Sequence, residues 1–137
     1  MDFAKRIGAA RRESIFNPDP QHIYVWCGTC VHGGDGRYYL YYSFWPRELG
    51  FSGWVIHSQI GVAAGDSPTG PFERFDAPLI DVTPGGCDAL MTSNPSVARM
   101  ADGRYIMVYK AVGLTGALPQ GGPVVCAVAF ADSPIGP

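Results

Sequence analysis

A short motif that occurs twice is the feature of this sequence that most constrains its fold. Asp66-Ser-Pro-Thr-Gly-Pro71 returns as Asp132-Ser-Pro-Ile-Gly-Pro137, 66 residues later. A second pair, Asp35-Gly-Arg-Tyr-Tyr-Leu-Tyr-Tyr42 and Asp102-Gly-Arg-Tyr-Ile-Met-Val-Tyr109, is separated by 67 residues. Two independent motifs that share one period indicate that the chain contains an internal repeat.

Each copy of the repeat predicts a set of short strands joined by tight turns. Aromatic and β-branched residues favour strands, whereas the glycines and prolines between them favour turns. The first copy predicts four strands, at residues 23–27, 38–44, 59–64 and 72–80. The second copy predicts three, at residues 96–100, 105–111 and 124–131. We expect the second unit to lack its fourth strand and to present an open sheet edge that a partner covers.

The repeat predicts an all-β fold of the β-propeller type. A four-stranded unit that recurs is typical of a propeller blade, which buries its faces only against neighbouring blades. We assign blade 1 to about residues 21–82 and blade 2 to about residues 88–137, a partial propeller over residues 21–137. Residues 1–20 form an N-terminal arm with a short amphipathic helix predicted at residues 2–16. Because two blades cannot close a ring, we expect an incomplete chain that assembles as a homo-oligomer.

Composition and charge exclude several classes of protein. The chain is 47% hydrophobic and 16% charged, which is typical of a globular protein with a core. A net charge of −2 argues against a nucleic-acid partner. No apolar run is long enough for a membrane span, and the N-terminus carries charges where a signal peptide needs apolar residues. We therefore expect no membrane partner and a cytoplasmic location, with secretion after removal of a signal left open.

The four cysteines do not predict a metal site. Cys27 and Cys30 form a C-x-x-C motif, but no second pair of ligands follows, and Cys87 and Cys126 stand alone. Four free thiols in a reducing compartment explain this spacing more simply. We expect no metal site and no cofactor.

A series of motifs resembles the five-bladed β-propeller glycoside hydrolases, most closely family 43 and its sucrase-like and family 117 relatives. It comprises Tyr24-Val-Trp-Cys-Gly28, the Asp35 motif continued to Ser43, Ser58-Gln-Ile-Gly-Val-Ala-Ala64 followed by the Asp66 motif, and Thr92-Ser-Asn-Pro-Ser96. The resemblance matches only about the first two blades. It implies that inner strands line a funnel in which carboxylates converge on an oligosaccharide. A Ca²⁺ ion at the propeller axis is left open, because its oxygen ligands leave little trace in sequence.

The resemblance makes Asp88 and Asp19 the candidate catalytic residues. Glycoside hydrolysis usually needs two carboxyl groups, roughly 5 to 10 Å apart across the scissile bond. Asp88 shortly precedes an inner strand, as an acidic residue does in the resembling enzymes, and Asp19 precedes the first strand. Either could instead be a turn aspartate. Where relatives often carry a glutamate this chain has Gln59, whose amide cannot transfer a proton, so the acid would come from a second subunit or from missing sequence.

Five further residues are predicted to bind substrate: Trp54, Trp45, His57, Trp26 and Asn94. A tryptophan face suits the C–H face of a sugar, although tryptophan in a small β protein often belongs to the core. Trp54 and Trp45 are favoured, because they come from the long connection at residues 45–58. The sequence thus predicts a glycosidase-like protein that acts on or binds oligosaccharides. A non-catalytic carbohydrate-binding or assembly module, and a purely structural piece, are the alternatives.

Overall fold

The computed structural model describes residues 14–116 and 121–136, which form two antiparallel sheets and one short helix. The strands are β1 (Ile23–His32), β2 (Tyr38–Pro46), β3 (Gln59–Gly65), β4 (Glu73–Arg74), β5 (Met91–Arg99), β6 (Tyr105–Leu114) and β7 (Gly121–Ala131). The helix α1 is Trp54–His57, and two 3₁₀ turns, Arg47–Leu49 and Phe51–Gly53, precede it. The prediction of an all-β fold is confirmed.

The first sheet contains β1 to β4 in chain order. Its second strand is buried along most of its length, because side chains on both faces meet apolar neighbours. The predicted fourth strand is reduced to the two residues of β4 and a bridge between Ile80 and Ile60. Trp45 lies in β2 rather than in the following connection, because β2 continues to Pro46.

The second sheet contains β5, β6 and β7 in chain order, so β7 is one of its two edge strands among the described residues. Strand β5 starts five residues earlier than predicted, at Met91. Most of the predicted N-terminal helix lies outside the described residues, and residues 14–16 are not helical. Phe16 packs on the first sheet, with its ring centroid 4.7 Å from that of Tyr42.

The sequence repeat is also a repeat of hydrogen bonds. In the first hairpin the Gly33 amide donates to the Arg37 carbonyl at 2.7 Å, and in the second the Met100 amide donates to the Arg104 carbonyl at the same distance. The turn glycines, Gly36 and Gly103, have φ angles of 87° and 92°. Each motif therefore builds the same turn in its own sheet.

The main core lies between the two sheets. It contains buried residues of both, namely Tyr39, Tyr41, Ile60, Val62, Ala64, Val97, Met107, Tyr109 and Ala111. Burial of one large apolar side chain contributes about 1.5–3 kcal/mol, so the contact between the sheets contributes strongly to stability. A hydrogen bond also joins the first strands of the two sheets. Thr29 Oγ1 in β1 donates to the Pro95 carbonyl in β5 at 2.8 Å. As a result β1 and β5 lie side by side.

No helix in the described ranges is long and apolar enough to cross a membrane, since α1 has only four residues.

Candidate functional site

The two neighbouring first strands carry a bulge at equivalent positions. Strand β1 bulges between Trp26 and Gly28, and β5 between Ser93 and Ser96. In each bulge an exposed residue has a positive φ, 47° at Cys27 and 56° at Asn94. The two residues are 67 positions apart, which is the spacing of the repeated hairpin motif.

A positive φ costs a residue with a Cβ atom roughly 1–2 kcal/mol, although asparagine tolerates it better than most. A hydrogen bond to the first sheet stabilises the bulge at Asn94. The backbone amide of Asn94 donates to Ser43 Oγ at 2.8 Å. Sequence reasoning missed both bulges. The repeat spacing would have aligned Cys27 with Asn94, but spacing does not reveal a backbone dihedral.

Five aromatic residues, here called the aromatic cluster, pack together beside these bulges: Tyr24, Trp26, Trp45, Phe51 and Trp54. The centroid of the Trp26 ring lies 5.8 Å from both Phe51 and Trp54 and 5.9 Å from Trp45. Trp45 is buried, and its Nε1 donates to the Gly50 carbonyl at 3.3 Å. It is therefore the buried member on which the more exposed rings pack. Trp26 is 38% exposed and Phe51 is exposed. Tyr24 and Phe51 were not predicted as site residues.

A cavity of about 80 Å³, here called the aromatic cavity, opens beside the cluster. It is lined by Trp26, Ser43, Trp45, Trp54, Ser58, Ser93, Asn94 and Lys110. The structure therefore brings together four of the five predicted substrate-binding residues, Trp26, Trp45, Trp54 and Asn94. The bulge of β5 places Asn94 there, and the short helix α1 contributes Trp54.

The polar groups of the aromatic cavity were mostly missed by sequence reasoning. Lys110 Nζ lies 4.6 Å from the centroid of the Trp54 ring, a cation–π contact. Asn94 Oδ1 accepts a hydrogen bond from Ser93 Oγ at 2.7 Å, which leaves the side-chain nitrogen Nδ2 of Asn94 as a donor. Ser58 Oγ is buried and has no hydrogen-bond partner among the described residues.

His57, the fifth predicted binding residue, lies outside the aromatic cavity. It is exposed at the end of α1 and lines a neighbouring cavity of about 310 Å³. Gln59 and Asp81 line the same cavity, and Gln59 Nε2 donates to Asp81 Oδ1 at 2.7 Å. Asp81 was not predicted as a site residue, since no sequence motif contains it.

The two predicted catalytic carboxylates also lie outside the aromatic cavity. Asp88 is buried, and its Oδ2 accepts a hydrogen bond from the Tyr109 hydroxyl at 3.1 Å. Burial, followed by the nearby Asp88 charge, raises the pKa of Tyr109 to about 12. Asp19 lies in the turn before β1, with Oδ1 2.8 Å from His22 Nδ1. No Asp or Glu among the described residues lines the aromatic cavity.

The four cysteines are exposed free thiols. Cys27 and Cys30 are exposed residues, but the surrounding protein partly desolvates their thiols, which raises both pKa values above the ordinary thiol value. Within residues 14–116 and 121–136, no group of three or more His, Cys, Asp or Glu side chains is placed to hold a metal ion.

Comparison with known proteins gives similarity at the level of structure. No family model matches the sequence, and no curated protein matches it. The fold is similar to part of a thermostable family-43 glycoside hydrolase, with a TM-score of 0.51 and 20% identity over 75% of this chain and 34% of that protein.

Two further solved structures have lower TM-scores. An α-L-arabinofuranosidase from Clostridium thermocellum is 24% identical over 77% of this chain and 35% of its own, with a TM-score of 0.46. An endo-1,4-β-xylanase from Bacteroides thetaiotaomicron is 21% identical over 75% and 37%, with a TM-score of 0.41. The chain thus spans little more than a third of each protein. The resemblance to family 43 is confirmed for the fold, on the first of these comparisons.

Proposed function

We propose that this chain forms two adjacent blades of a β-propeller of the glycoside-hydrolase type and binds an oligosaccharide at the aromatic cavity. One observation carries the proposal. The bulged inner strand β5 presents Asn94 to the same cavity that Trp26 and Trp54 line. An aromatic face beside hydrogen-bond donors is what a sugar ring requires, since it has an apolar C–H face and a polar edge.

Trp26 and Trp54 have different parts in this proposal. Trp26 is more than a third exposed and rests on buried Trp45, so its ring is rigid and accessible. One face of Trp54 is occupied by Lys110. Trp26 is therefore the stacking platform, and Trp54 forms the adjoining part of the cavity lining.

Binding is favoured over hydrolysis because the aromatic cavity lacks carboxylates among the described residues. Glycoside hydrolysis usually needs two of them across the scissile bond. Asp88 is engaged by Tyr109 and Asp19 lies close to His22. Hydrolysis is the second candidate function, supported by the fold. It would require Asp88 or Asp19 to act together with a carboxyl group from another copy of the chain or from further sequence.

Assembly with further copies is part of the proposal. Four side chains of the second sheet, Val108, Val124, Val128 and Phe130, are exposed and form what is called here the uncovered face. The residues of the first sheet that are equivalent to Val108 and Val128 are Tyr41 and Val62, and the second sheet buries both. A sheet from a second copy is the proposed cover, since it offers the same strand pattern.

The binding proposal is tested by calorimetric titration of the chain with arabino-, xylo-, fructo- and galacto-oligosaccharides and with acidic oligosaccharides. Trp26→Ala should weaken binding about tenfold, because loss of an aromatic contact of this kind is worth roughly 1 kcal/mol or more. Phe75→Ala is the matched control, since Phe75 is also 38% exposed but lies outside the cavity. If no sugar binds, the proposal is wrong. Turnover of aryl-glycosides or of the same oligosaccharides would instead support hydrolysis.

The assembly proposal is tested by light scattering across a range of protein concentrations. We expect a mass above that of one chain, and Val128→Asp should reduce it by placing a charge on the uncovered face. A stable, folded monomer would rule out this part of the proposal.

A further inference from the structure

We infer that the aromatic cavity selects a sugar that carries an anionic oxygen group, a carboxylate or a sulfate ester, and that Lys110 makes the selection. This rests on the proposed sugar binding at the same site and specifies its substrate class.

The charge of the cavity is the first argument. Lys110 is the single charged side chain among the described residues that line it. It forms no ion pair with any described residue, since the ion pairs in that part of the chain are Asp19 with His22, Asp66 with Arg37, and Asp102 with Arg104. Its strand neighbours, Ser93 and Cys126, carry no carboxylate that could pair with it. The lysine charge is therefore available to a ligand.

The donors of the cavity are the second argument. An ammonium group has three donors and no acceptor. The side-chain nitrogen Nδ2 of Asn94 is also a donor, and the side-chain oxygen of the same residue is already engaged by Ser93. The buried Ser58 hydroxyl, which has no partner among the described residues, can donate as well. Carboxylate and sulfate groups offer acceptors only, and hydrogen bonds to them are stronger than those to neutral hydroxyls. Donors of this kind complement an anion better than a neutral sugar.

The repeat supplies the third argument. The position equivalent to Lys110 in the first sheet is Ser43, 67 residues earlier, in the strand that follows the repeated Asp-Gly-Arg-Tyr turn. The scaffold therefore does not require a lysine at this position. The contact with the Trp54 ring fixes the position of the ammonium group. The sides of that group that do not face the ring are open to a ligand.

The experiment compares ligands that differ only in charge. The full chain is titrated calorimetrically with oligogalacturonate and with a neutral galacto-oligosaccharide of the same length, then with a sulfated galactan fragment and its desulfated form. We expect the anionic member of at least one pair to bind about tenfold more tightly at low salt, and the preference to shrink as salt rises. The carboxylate and sulfate arms distinguish the two sources of charge. Non-specific attraction does not explain such a preference, because the chain has a net charge of −2.

Variants assign the preference to the lysine. Lys110→Gln should abolish it, Lys110→Arg should retain it, and Arg104→Gln, which removes a cation far from the cavity lining, should leave it unchanged. Equal affinity for neutral and anionic sugars would overturn the inference while leaving sugar binding intact. A preference that survives in Lys110→Gln, or that does not depend on salt in the wild-type chain, would also overturn it. Failure of every sugar to bind would overturn the proposed function as well.

Discussion

The two sheets of this protein are built from the same repeat but differ in how deeply they are buried. Tyr41 is 1% exposed and its counterpart Val108 is 43% exposed; Val62 is 2% exposed and its counterpart Val128 is 54% exposed. These residues occupy equivalent positions, because Tyr41 pairs with Val62 across β2 and β3 as Val108 pairs with Val128 across β6 and β7. The difference arises because the second sheet covers the first, whereas no described residue covers the uncovered face. The same repeat unit is therefore buried on this face in one sheet and exposed on it in the other.

The repeat also distinguishes the turn residues from the residues that line the candidate site. Asp35 and Asp102 are kept in both copies, and each accepts a hydrogen bond from the amide two residues later in its turn. In contrast, Trp26 and Lys110 have serines at their equivalent positions, Ser93 and Ser43. All four of these residues line the aromatic cavity. The candidate site therefore lies where the copies differ.

The largest effect is expected from a matched pair of valine truncations. Val62→Ala should lower the free energy of unfolding by about 2 kcal/mol, because it removes buried methyl groups and leaves a cavity. Val128→Ala should change it by less than about 0.5 kcal/mol in a monomer, since its side chain is largely in water. Urea denaturation at low protein concentration measures both. A large loss in Val128→Ala would indicate that the uncovered face is buried even under those conditions.

Glycine substitutions test whether the two hairpin turns are equivalent. Gly36→Ala and Gly103→Ala should each cost about 1 kcal/mol, because both glycines have positive φ angles that alanine adopts with strain. An added Cβ would meet nothing within 4 Å at Gly36 and only the Arg99 guanidinium at 3.7 Å at Gly103, so strain rather than collision sets the cost. Denaturation curves that differ strongly between the two variants would show that the turns are not equivalent.

The smallest effects concern the turn aspartates and depend on pH. A hydrogen bond from the Tyr39 hydroxyl, followed by one from the Arg37 amide, lowers the pKa of Asp35; the Arg104 side chain, followed by its amide, lowers that of Asp102. Each carboxylate therefore stabilises the fold at a pH above about 4, and this contribution is lost as the pH falls through the lowered pKa.

Asp35→Asn and Asp102→Asn should accordingly be less stable than the wild type at pH 7 and approach it in acid. The effect of Asp102→Asn should shrink at high salt, because its main partner is a cation, while that of Asp35→Asn should persist. Thermal unfolding at several pH and salt values measures both. Equal salt sensitivity would contradict the assigned partners.

Most of the fold could be predicted from the sequence, because turn residues and strand patterns are local signals that occur twice. Strand β5 was predicted too short. Its first residues, Met91 to Ser93, are held by tertiary contacts, such as the hydrogen bond from the Thr92 amide to the Ser58 carbonyl, which the local sequence does not reveal. The site was predicted in part. The tryptophans and Asn94 could be named from their chemistry, but Lys110 and Ser58 join them only through the packing of α1 and the bulge of β5.

One measurement tests the central claim, that the aromatic cavity is a sugar-binding site, most directly. The chain has three tryptophans, Trp26, Trp45 and Trp54, and all three line the cavity. A ¹H–¹⁵N NMR titration with an oligosaccharide therefore gives three assignable indole signals. We predict saturable shifts for Trp26 and Trp54 and a smaller shift for Trp45, whose Nε1 is bonded to Gly50. Saturable shifts elsewhere in the chain, with all three indole signals unmoved, would contradict the account.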